Sequence, residues 1–463
     1  MTGRRFPTAR KIVMALGDAG IIYFSFRLLI LSGQSAEIVW PTVESDTGLL
    51  LLIMLLTILL LKVNGLYYVA KKSFAEVTLG ILGSNLWVLF LVVSLSFFLP
   101  LGDNSRRLIV LCLGMQTVLI AGWRYVVWRV ERSIRKTRSL LLVGSEEECS
   151  HVYQRLSRQP QLNMKLKYVC TDLEKAPWEE AAKEVDVICV CPDMRHRHKV
   201  KIINYCHAQG KEALLIPNTY EIFLNRAGLR RIDDIPVLRA PSLLPSLEVR
   251  VLKRLLDIFV ASLGFLCALP FMLATAIAIK LTDPGPLLYS QIRTGKKGKE
   301  FRVYKFRTMK VDAEKYTGPM LAQENDPRIT KTGKFLRMVR LDELPQIWNV
   351  LVGDMSIVGP RPERPFFVEK FTAEIPEYAY RHNVKPGITG LAQVYGKYNT
   401  TAFDKLVYDL MYIQQCGLLT DLAIIVRTVK VLLTKSATEG AGADNQEINL
   451  SRFAVGGEVY GDF

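Results

Sequence analysis

Four apolar stretches of bilayer length crowd the amino-terminal part of this chain: about Ile12 to Ser32, Leu49 to Val69, Leu79 to Leu99, and Leu108 to Val127. Segments of this length and composition read as transmembrane helices, which fixes the first part of the molecule as a four-span bundle. The second stretch is the least clean, because Lys62 and Asn64 interrupt its later half. Arg4, Arg5, Arg10 and Lys11 precede the first stretch without a small-residue cleavage site, so it reads as a retained anchor. These cations, Lys71 with Lys72, and the run from Arg129 to Arg138 all fall on one side. Glu37, Glu44 and Asp46 fall on the other, and only Arg106 and Arg107 run against the positive-inside rule. Asp18 and Arg27 lie on opposite faces of the first span, where bundle contacts or snorkelling account for them.

Charge narrows the partners. With 60 Lys and Arg against 44 Asp and Glu, the net charge of +16 suits lipid headgroups, phosphorylated substrates or nucleic acid. No zinc-finger, helix-turn-helix or RNA-binding signature accompanies the cations, which argues against nucleic acid. The eight cysteines have no framework spacing, and Cys189 and Cys191 lie in an apolar run that reads as a buried strand. Free thiols in a reducing compartment are the reading.

From Ser139 to about Pro217 short apolar strands alternate with polar helical patterns: Leu140–Val143, Glu146–Arg158, Leu166–Val169, Val187–Val190, His196–Gln209 and Ala213–Ile216. This predicts a small Rossmann-like parallel α/β domain. Its first turn, Gly144-Ser145-Glu146-Glu147-Glu148, lacks the later glycines of a dinucleotide site and places carboxylates where a phosphate would lie. A degenerate domain without cofactor is expected. His196, Arg197 and His198 read as a solvated surface. Residues from about Asn218 to Leu247 read as a linker.

The apolar run Ile258 to Ile279 is long enough to cross a membrane and carries Pro270 near its middle. Lys253 and Arg254 precede it, while Lys280, Arg293 and Lys296 follow, and both flanks favour the cytoplasmic face. A helix broken at Pro270 that enters and returns on one side satisfies both.

Beyond this run, charged residues, glycines and prolines concentrate. Leu287–Arg293 and Phe301–Arg307 flank Gly295-Lys296-Lys297-Gly298, a hairpin with a basic tip. Alternation places Lys305 and Arg307 on one face, where two cations could meet a diphosphate. Asp342 and Glu343 follow Arg337 and Arg340 and precede Pro345, which opens a helix over Gln346–Leu351. Carboxylates beside cations and a helix amino terminus are held ionised. Such a pair suits phosphoryl transfer, with one carboxylate as nucleophile and the other as magnesium ligand. Gly359-Pro360-Arg361-Pro362 and Lys385-Pro386-Gly387-Ile388-Thr389-Gly390 are rigid loops that shape a site. There is no Walker loop, no GxGxxG and no Asp-x-Asp metal pair.

From Lys253 to about Tyr412 these motifs, together with Lys253-Arg254-x-x-Asp257, Asp283-Pro284-Gly285-Pro286 and Lys305-Phe306-Arg307-Thr308-Met309, resemble the bacterial sugar transferase family, the polyprenyl-phosphate hexose-1-phosphate transferases. The resemblance implies a covalent phosphosugar intermediate. Asp342 would attack the β-phosphate of a UDP-hexose and expel UMP, and Glu343 would help bind Mg²⁺. Arg337, Arg340 and Arg361 would contact phosphates, with Pro362 near the uridine. Lys305, Arg307, Asp409 and Tyr412 are further substrate candidates. Lys253, Arg254 and Pro270 would face the carrier lipid and its headgroup.

The whole reads as a membrane α-helical bundle of four spans (1–138), a Rossmann-like α/β domain with linker (139–247), a mostly α catalytic domain with a re-entrant membrane helix and a small β-hairpin (248–435), and a polar tail (436–463). The function it implies is transfer of hexose-1-phosphate from UDP-galactose or UDP-glucose to undecaprenyl phosphate at the inner membrane, by a homodimer. The rival readings are a catalytically idle scaffold of polysaccharide assembly and a transporter, which needs polar groups that the four spans supply sparsely.

Overall fold

Apolar helices and buried strands divide the chain much as their periodicity predicts. The computed structural model describes residues 7–34, 47–67, 72–96, 103–134, 136–159, 162–225, 227–240, 242–283, 285–310, 328–396, 400–432 and 453–455. The outer-loop acids at 37, 44 and 46 and most of the tail lie outside the described residues. Two compact units form, Met1–Asn218 with Asn445–Phe463, and Thr219–Asp444.

The first unit opens with four helices: α1 (Pro7–Gln34), α2 (Thr47–Val63), α3 (Phe74–Ser96) and α4 (Asp103–Ile134). Each packs on two others, α1 on α2 and α4, and α3 on α2 and α4. Met14, Ile22, Leu61, Ile81 and Ile120 form part of their shared core. Stretches within α3 and α4, Phe74–Ser94 and Ile109–Ile134, are long and apolar enough to cross a membrane, as is Leu247–Thr282 further on. The second predicted span is shorter than expected. Its helix stops at Val63, because the Asn64 side chain bonds back to the Leu60 carbonyl at 3.2 Å and Gly65 turns the chain with φ +64.

The bundle interior is more polar than its sequence indicated. Asp18 pairs with Arg124 at 2.5 Å, both side chains fully buried, and Tyr67 donates to Asp18 at 3.1 Å. Asn64 donates to Ser84 at 2.9 Å, Asn85 to Thr117 at 2.7 Å, and Gln116 to Asn85 at 3.2 Å. These bonds run from helix to helix and link the bundle. Asp18 is thus a bundle contact, while Arg27 bonds Tyr23 on its own helix.

The α/β part follows in order: β1 (Arg138–Val143), α5 (Glu146–Ser157), β2 (Met164–Cys170), α6 (Trp178–Lys183), β3 (Val187–Val190), α7 (His196–Ala208) and β4 (Glu212–Leu215). All four strands are parallel, in the order β2-β1-β3-β4. The central strands are buried on both faces, which is why they read as unbroken apolar runs. Leu141, Val143, Ile188 and Val190 fill one face, and Leu140, Leu142, Val187 and Cys189 the other. Cys189 and Cys191 are free, buried thiols. The helix α6 is short and was not anticipated. From the tail, Phe453 packs on Tyr153, and the Val455 N–H donates to the Val169 carbonyl of β2 at 2.9 Å.

The turn after β1 is closed by its own carboxylate. Glu148 accepts from the Ser145 N–H at 3.2 Å and hydroxyl at 3.0 Å, and from the Asp193 N–H at 3.1 Å. This is a capping box whose acid also reaches across to the residues after β3.

The second unit corrects the predicted linker. Residues 219–239 form α8 (Thr219–Leu224) and a hairpin of β5 (Gly228–Ile232) and β6 (Ile235–Arg239). Helix α9 (Leu247–Thr282) keeps helical backbone on both sides of Pro270, so the two separate helices expected there are one helix with a proline inside it. One proline removes a single internal bond, and the helix on either side keeps its own. The basic hairpin is β7 (Leu288–Thr294) and β8 (Glu300–Phe306), as predicted. Then come α10 (Lys331–Met338), α11 (Gln346–Val352), β9 (Ser356–Val358), α12 (Pro365–Glu374), β10 (Gly387–Thr389), α13 (Leu391–Tyr395), α14 (Ala402–Gln414) and α15 (Leu418–Leu432). β9 and β10 pair in parallel. Val358, Tyr378, Leu406, Leu410 and Ile424 form part of the core beneath them.

Candidate active site

The Asp342-Glu343 pair sits on a 3-10 turn, Leu341–Glu343, between α10 and α11. Arg340 enters it with φ +57, a left-handed conformation that costs a non-glycine residue about 1 kcal/mol or more. α10 reaches this position by packing directly on Thr308. A Cβ on Gly333 would fall 2.1 Å from the Thr308 carbonyl oxygen, so only glycine permits the approach.

Four cations surround the pair. Lys305 of β8 donates to Glu343 Oε1 at 2.7 Å, Arg361 donates to the same oxygen at 2.9 Å, and Arg340 lies 3.8 Å from Oε2. Arg337 acts on Asp342 through its charge and donates through Nε to the Thr308 hydroxyl at 2.9 Å. The two adjacent carboxylates therefore differ. Burial raises the Glu343 pKa, but Arg361, Lys305 and Arg340 together outweigh it and hold the group well below the ordinary range. Burial and the Glu343 charge push Asp342 up, against Lys305, Arg337 and Arg361. The expectation that cations hold both low is met only by Glu343. Asp342 is buried too deeply for the cations to win.

Among the described residues no three His, Cys, Asp or Glu converge as a metal cage. Mg²⁺ does not require one. It is commonly held by one or two carboxylates, with water and substrate phosphates completing the shell, and Glu343 fits that donor set.

Several predicted contact residues have other work. Arg307 does not join Lys305 at the acidic pair. It turns away to bond the Asp283 carbonyl and pairs with the Asp283 carboxylate at 3.5 Å. A Cβ at Gly285, whose φ is +145, would collide with its guanidinium. Tyr412 is buried, donating to Asp421 at 2.8 Å and lying 3.1 Å from the Val358 carbonyl. Asp409 is buried against Arg381, 2.8 Å from Nη2. The Asp409 carboxylate and the Tyr412 hydroxyl are both engaged inside the fold.

The residues assigned to the carrier lipid divide likewise. Lys253 is buried and bonds Asp421 at 2.5 Å and the Val358 carbonyl at 2.9 Å. Arg254 donates to the Val350 and Leu351 carbonyls at 2.6 and 2.8 Å, satisfying the carboxyl end of α11. Asp257 accepts from the Ser356 hydroxyl and the Ile357 N–H, each at 2.9 Å. The Lys253-Arg254-x-x-Asp257 motif thus fastens α9 to its unit, and only Pro270 is exposed. Pro362 stands beside Arg361, its carbonyl accepting from Arg293 at 3.2 Å. Sequence reasoning gave no role to Asp421 or Arg381. Each is one charged residue in an amphipathic stretch, with nothing local to mark it.

The profile of the bacterial sugar transferase family matches residues 248–435, and that of a CoA-binding domain matches 62–203. The second description implies coenzyme A, but the residues at the β1 turn do not fit its diphosphate, since Glu148 fills the donors there and a Cβ on Gly144 would meet Cys191 at 2.4 Å. Among curated relatives, the UDP-N-acetylgalactosamine-undecaprenyl-phosphate N-acetylgalactosaminephosphotransferase of Aeromonas hydrophila is 45% identical over 210 residues, covering 45% of this chain and 49% of its own length. The UDP-glucose:undecaprenyl-phosphate glucose-1-phosphate transferase of Klebsiella pneumoniae is 40% identical over 261 residues, 55% of this chain and 56% of its own. The chain thus spans about half the length of these two relatives. The enzyme of the latter name from Caulobacter vibrioides is 44% identical over 223 residues and is covered over 82% of its length. With its profile matched over residues 248–435 and a relative matched over most of its length, this chain belongs to the bacterial sugar transferase family.

Proposed function

We propose that the protein transfers hexose-1-phosphate from a UDP-hexose, galactose or glucose first among them, to undecaprenyl phosphate. Asp342 attacks the β-phosphorus, the bond from that phosphorus to the bridging oxygen breaks, and UMP leaves. An oxygen of undecaprenyl phosphate then attacks the same phosphorus and releases the Asp342 carboxylate, leaving the sugar on a polyprenyl diphosphate. The observation that carries this reading is the contrast between two neighbouring carboxylates under four cations. Glu343 is engaged and held charged, while among the described residues Asp342 takes no ion pair and keeps its carboxylate for phosphorus. Arg337 and Arg361 are placed to stabilise charge on phosphoryl oxygens. Mg²⁺, held by Glu343, would supply charge neutralisation on the diphosphate.

We further place the four amino-terminal helices across the inner membrane, with α9 bending at Pro270 so that it enters from the cytoplasmic face and returns. What supports this is the fastening of α9. Lys253 and Arg254 hold one end, while Ile279 packs on Phe306 and Leu336, and Thr332 donates to Thr282 at 3.0 Å at the other. A straight crossing by 36 residues, about 54 Å, would separate these ends by more than a bilayer core. One folded unit holds both. Phe259, Leu266, Phe271 and Leu273 between them are exposed and apolar.

The test is UMP release by purified protein given a panel of UDP-sugars, Mg²⁺ and polyprenyl phosphate. Wild type should release UMP with one preferred sugar, and Asp342→Asn should release none while keeping its fold. Turnover by Asp342→Asn would refute the nucleophile, and no release from wild type with any sugar would leave the idle-scaffold reading.

A further inference from the structure

Four consecutive carbonyls in the loop that carries Arg361 are each held by a different donor. Pro360 accepts from the Gly387 N–H at 2.9 Å, Arg361 from Arg381 Nη2 at 3.0 Å, Pro362 from Arg293 Nη1 at 3.2 Å, and Glu363 from the Thr294 N–H at 2.9 Å. Pro360 and Pro362 add ring-fixed φ angles. The backbone around Arg361 is thereby over-determined, and its side chain is left to reach Glu343.

Two of the four donors are guanidinium groups, Arg381 buried and Arg293 half-buried, and taking such a charge out of water is costly unless geometry demands it. Arg381 is buried, with Nε and Nη2 on Asp409 at 3.1 and 2.8 Å and Nη1 on the Tyr378 hydroxyl. Arg293 lies 3.8 Å from the Glu363 carboxylate and also bonds Gln291. The side-chain bonds of both arginines go to Asp409, Tyr378, Gln291 and the loop, and not to Asp342 or Glu343. Their contacts with the site pass through the loop's main chain.

We propose that Arg381 and Arg293 are positioning residues, which hold the main chain at Arg361 and Pro362 so that the Arg361 guanidinium stays on Glu343, beside Asp342, through both transfer steps. Asp409 and Tyr378 serve this function by holding Arg381. The proposal rests on the phosphoglycosyl transfer reading. A planar fork bonds two acceptors at fixed angles, as an ammonium cannot, so lysine keeps the charge and loses the geometry.

The test compares Arg381→Lys, Arg293→Lys and Tyr378→Phe in the full chain, embedded in lipid nanodiscs. UMP released without acceptor counts competent sites, and steady-state release with polyprenyl phosphate gives kcat per site. Both lysine variants should lose about 10- to 100-fold in kcat per site, the scale of a displacement of about 1 Å in a catalytic group, with KM for the UDP-sugar changed less than about threefold. Tyr378→Phe, which retains the Asp409 pair, should lose less. A merely structural role would reduce the number of competent sites and leave kcat per site unchanged, and that result would overturn the proposal. A second readout does not need turnover. Labelling of Arg361 by phenylglyoxal, read by mass spectrometry, should be faster in Arg381→Lys and Tyr378→Phe than in wild type, and equal rates would also overturn it. Absence of UMP release from wild type would instead sink the transfer reading, with the labelling result still deciding the clamp.

Discussion

Lys253 offers the sharpest separation between a lipid-facing cation and a structural one. Its side chain is 10% exposed, and its partner Asp421 is 1% exposed. Lys253→Met keeps the length of the stem and removes the charge, leaving Asp421 with Tyr412 as its remaining hydrogen-bond donor in this network. Breaking a buried pair from one side costs about 3–5 kcal/mol. Burial already pushes the Asp421 pKa up, so the orphaned acid can take a proton, which favours the lower end, about 3 kcal/mol. For a unit the size of Thr219–Asp444, each kcal/mol moves Tm by about 2–4 °C, so the midpoint should fall by about 6–12 °C. The assay is thermal unfolding in nanodiscs at fixed protein and lipid concentration. The deficit should shrink as pH falls, because protonating Asp421 removes the unpaired charge. Lys253→Met with Asp421→Asn should recover most of the loss. A Lys253→Met protein with wild-type Tm and weaker binding to anionic vesicles would refute this reasoning and restore the headgroup role.

Two further outcomes follow from the site itself. Gly333→Ala places a Cβ 2.1 Å from the Thr308 carbonyl oxygen, and because the obstacle is main chain the cost should be about 2 kcal/mol, visible as a lower Tm and as impaired turnover through Arg337; an unchanged protein would show that α10 can simply move away. Glu343 is held below its ordinary value of 4.5, so its contribution to stability is full above that value and is lost as pH falls through its folded-state pKa. The Tm difference between wild type and Glu343→Gln should therefore be largest near neutrality and narrow on acidification, and a gap independent of pH would refute the cation cage.

Much of this molecule is legible one segment at a time. The strands Leu140–Val143 and Val187–Val190 announce themselves as unbroken apolar runs, because a parallel sheet buried on both faces needs no alternation. The hairpin around Lys296 and the helix behind Pro345 follow from turn chemistry. Asp342 and Glu343 stand out because paired carboxylates among arginines at a helix start are a local pattern. Less is legible where a residue's surroundings depend on a distant partner. Asp409 and Tyr412 are substrate candidates only by resemblance, and each is engaged by a residue from elsewhere, Arg381 and Asp421. Residues 219–239 read as a linker because their hairpin is exposed and leaves no burial pattern to detect.

Local sequence determined the membrane-length helices, the parallel strands, the hairpin and the turn that bears the two acids, since hydrophobic period and proline or glycine placement act over a few residues. Tertiary structure decided which charges are tools and which are fasteners. Lys253, Arg254, Arg307 and Arg381 look like Lys305 and Arg361 in a sequence, but an ion pair depends on separation in space, and partners such as Lys253 and Asp421 stand 168 residues apart along the chain.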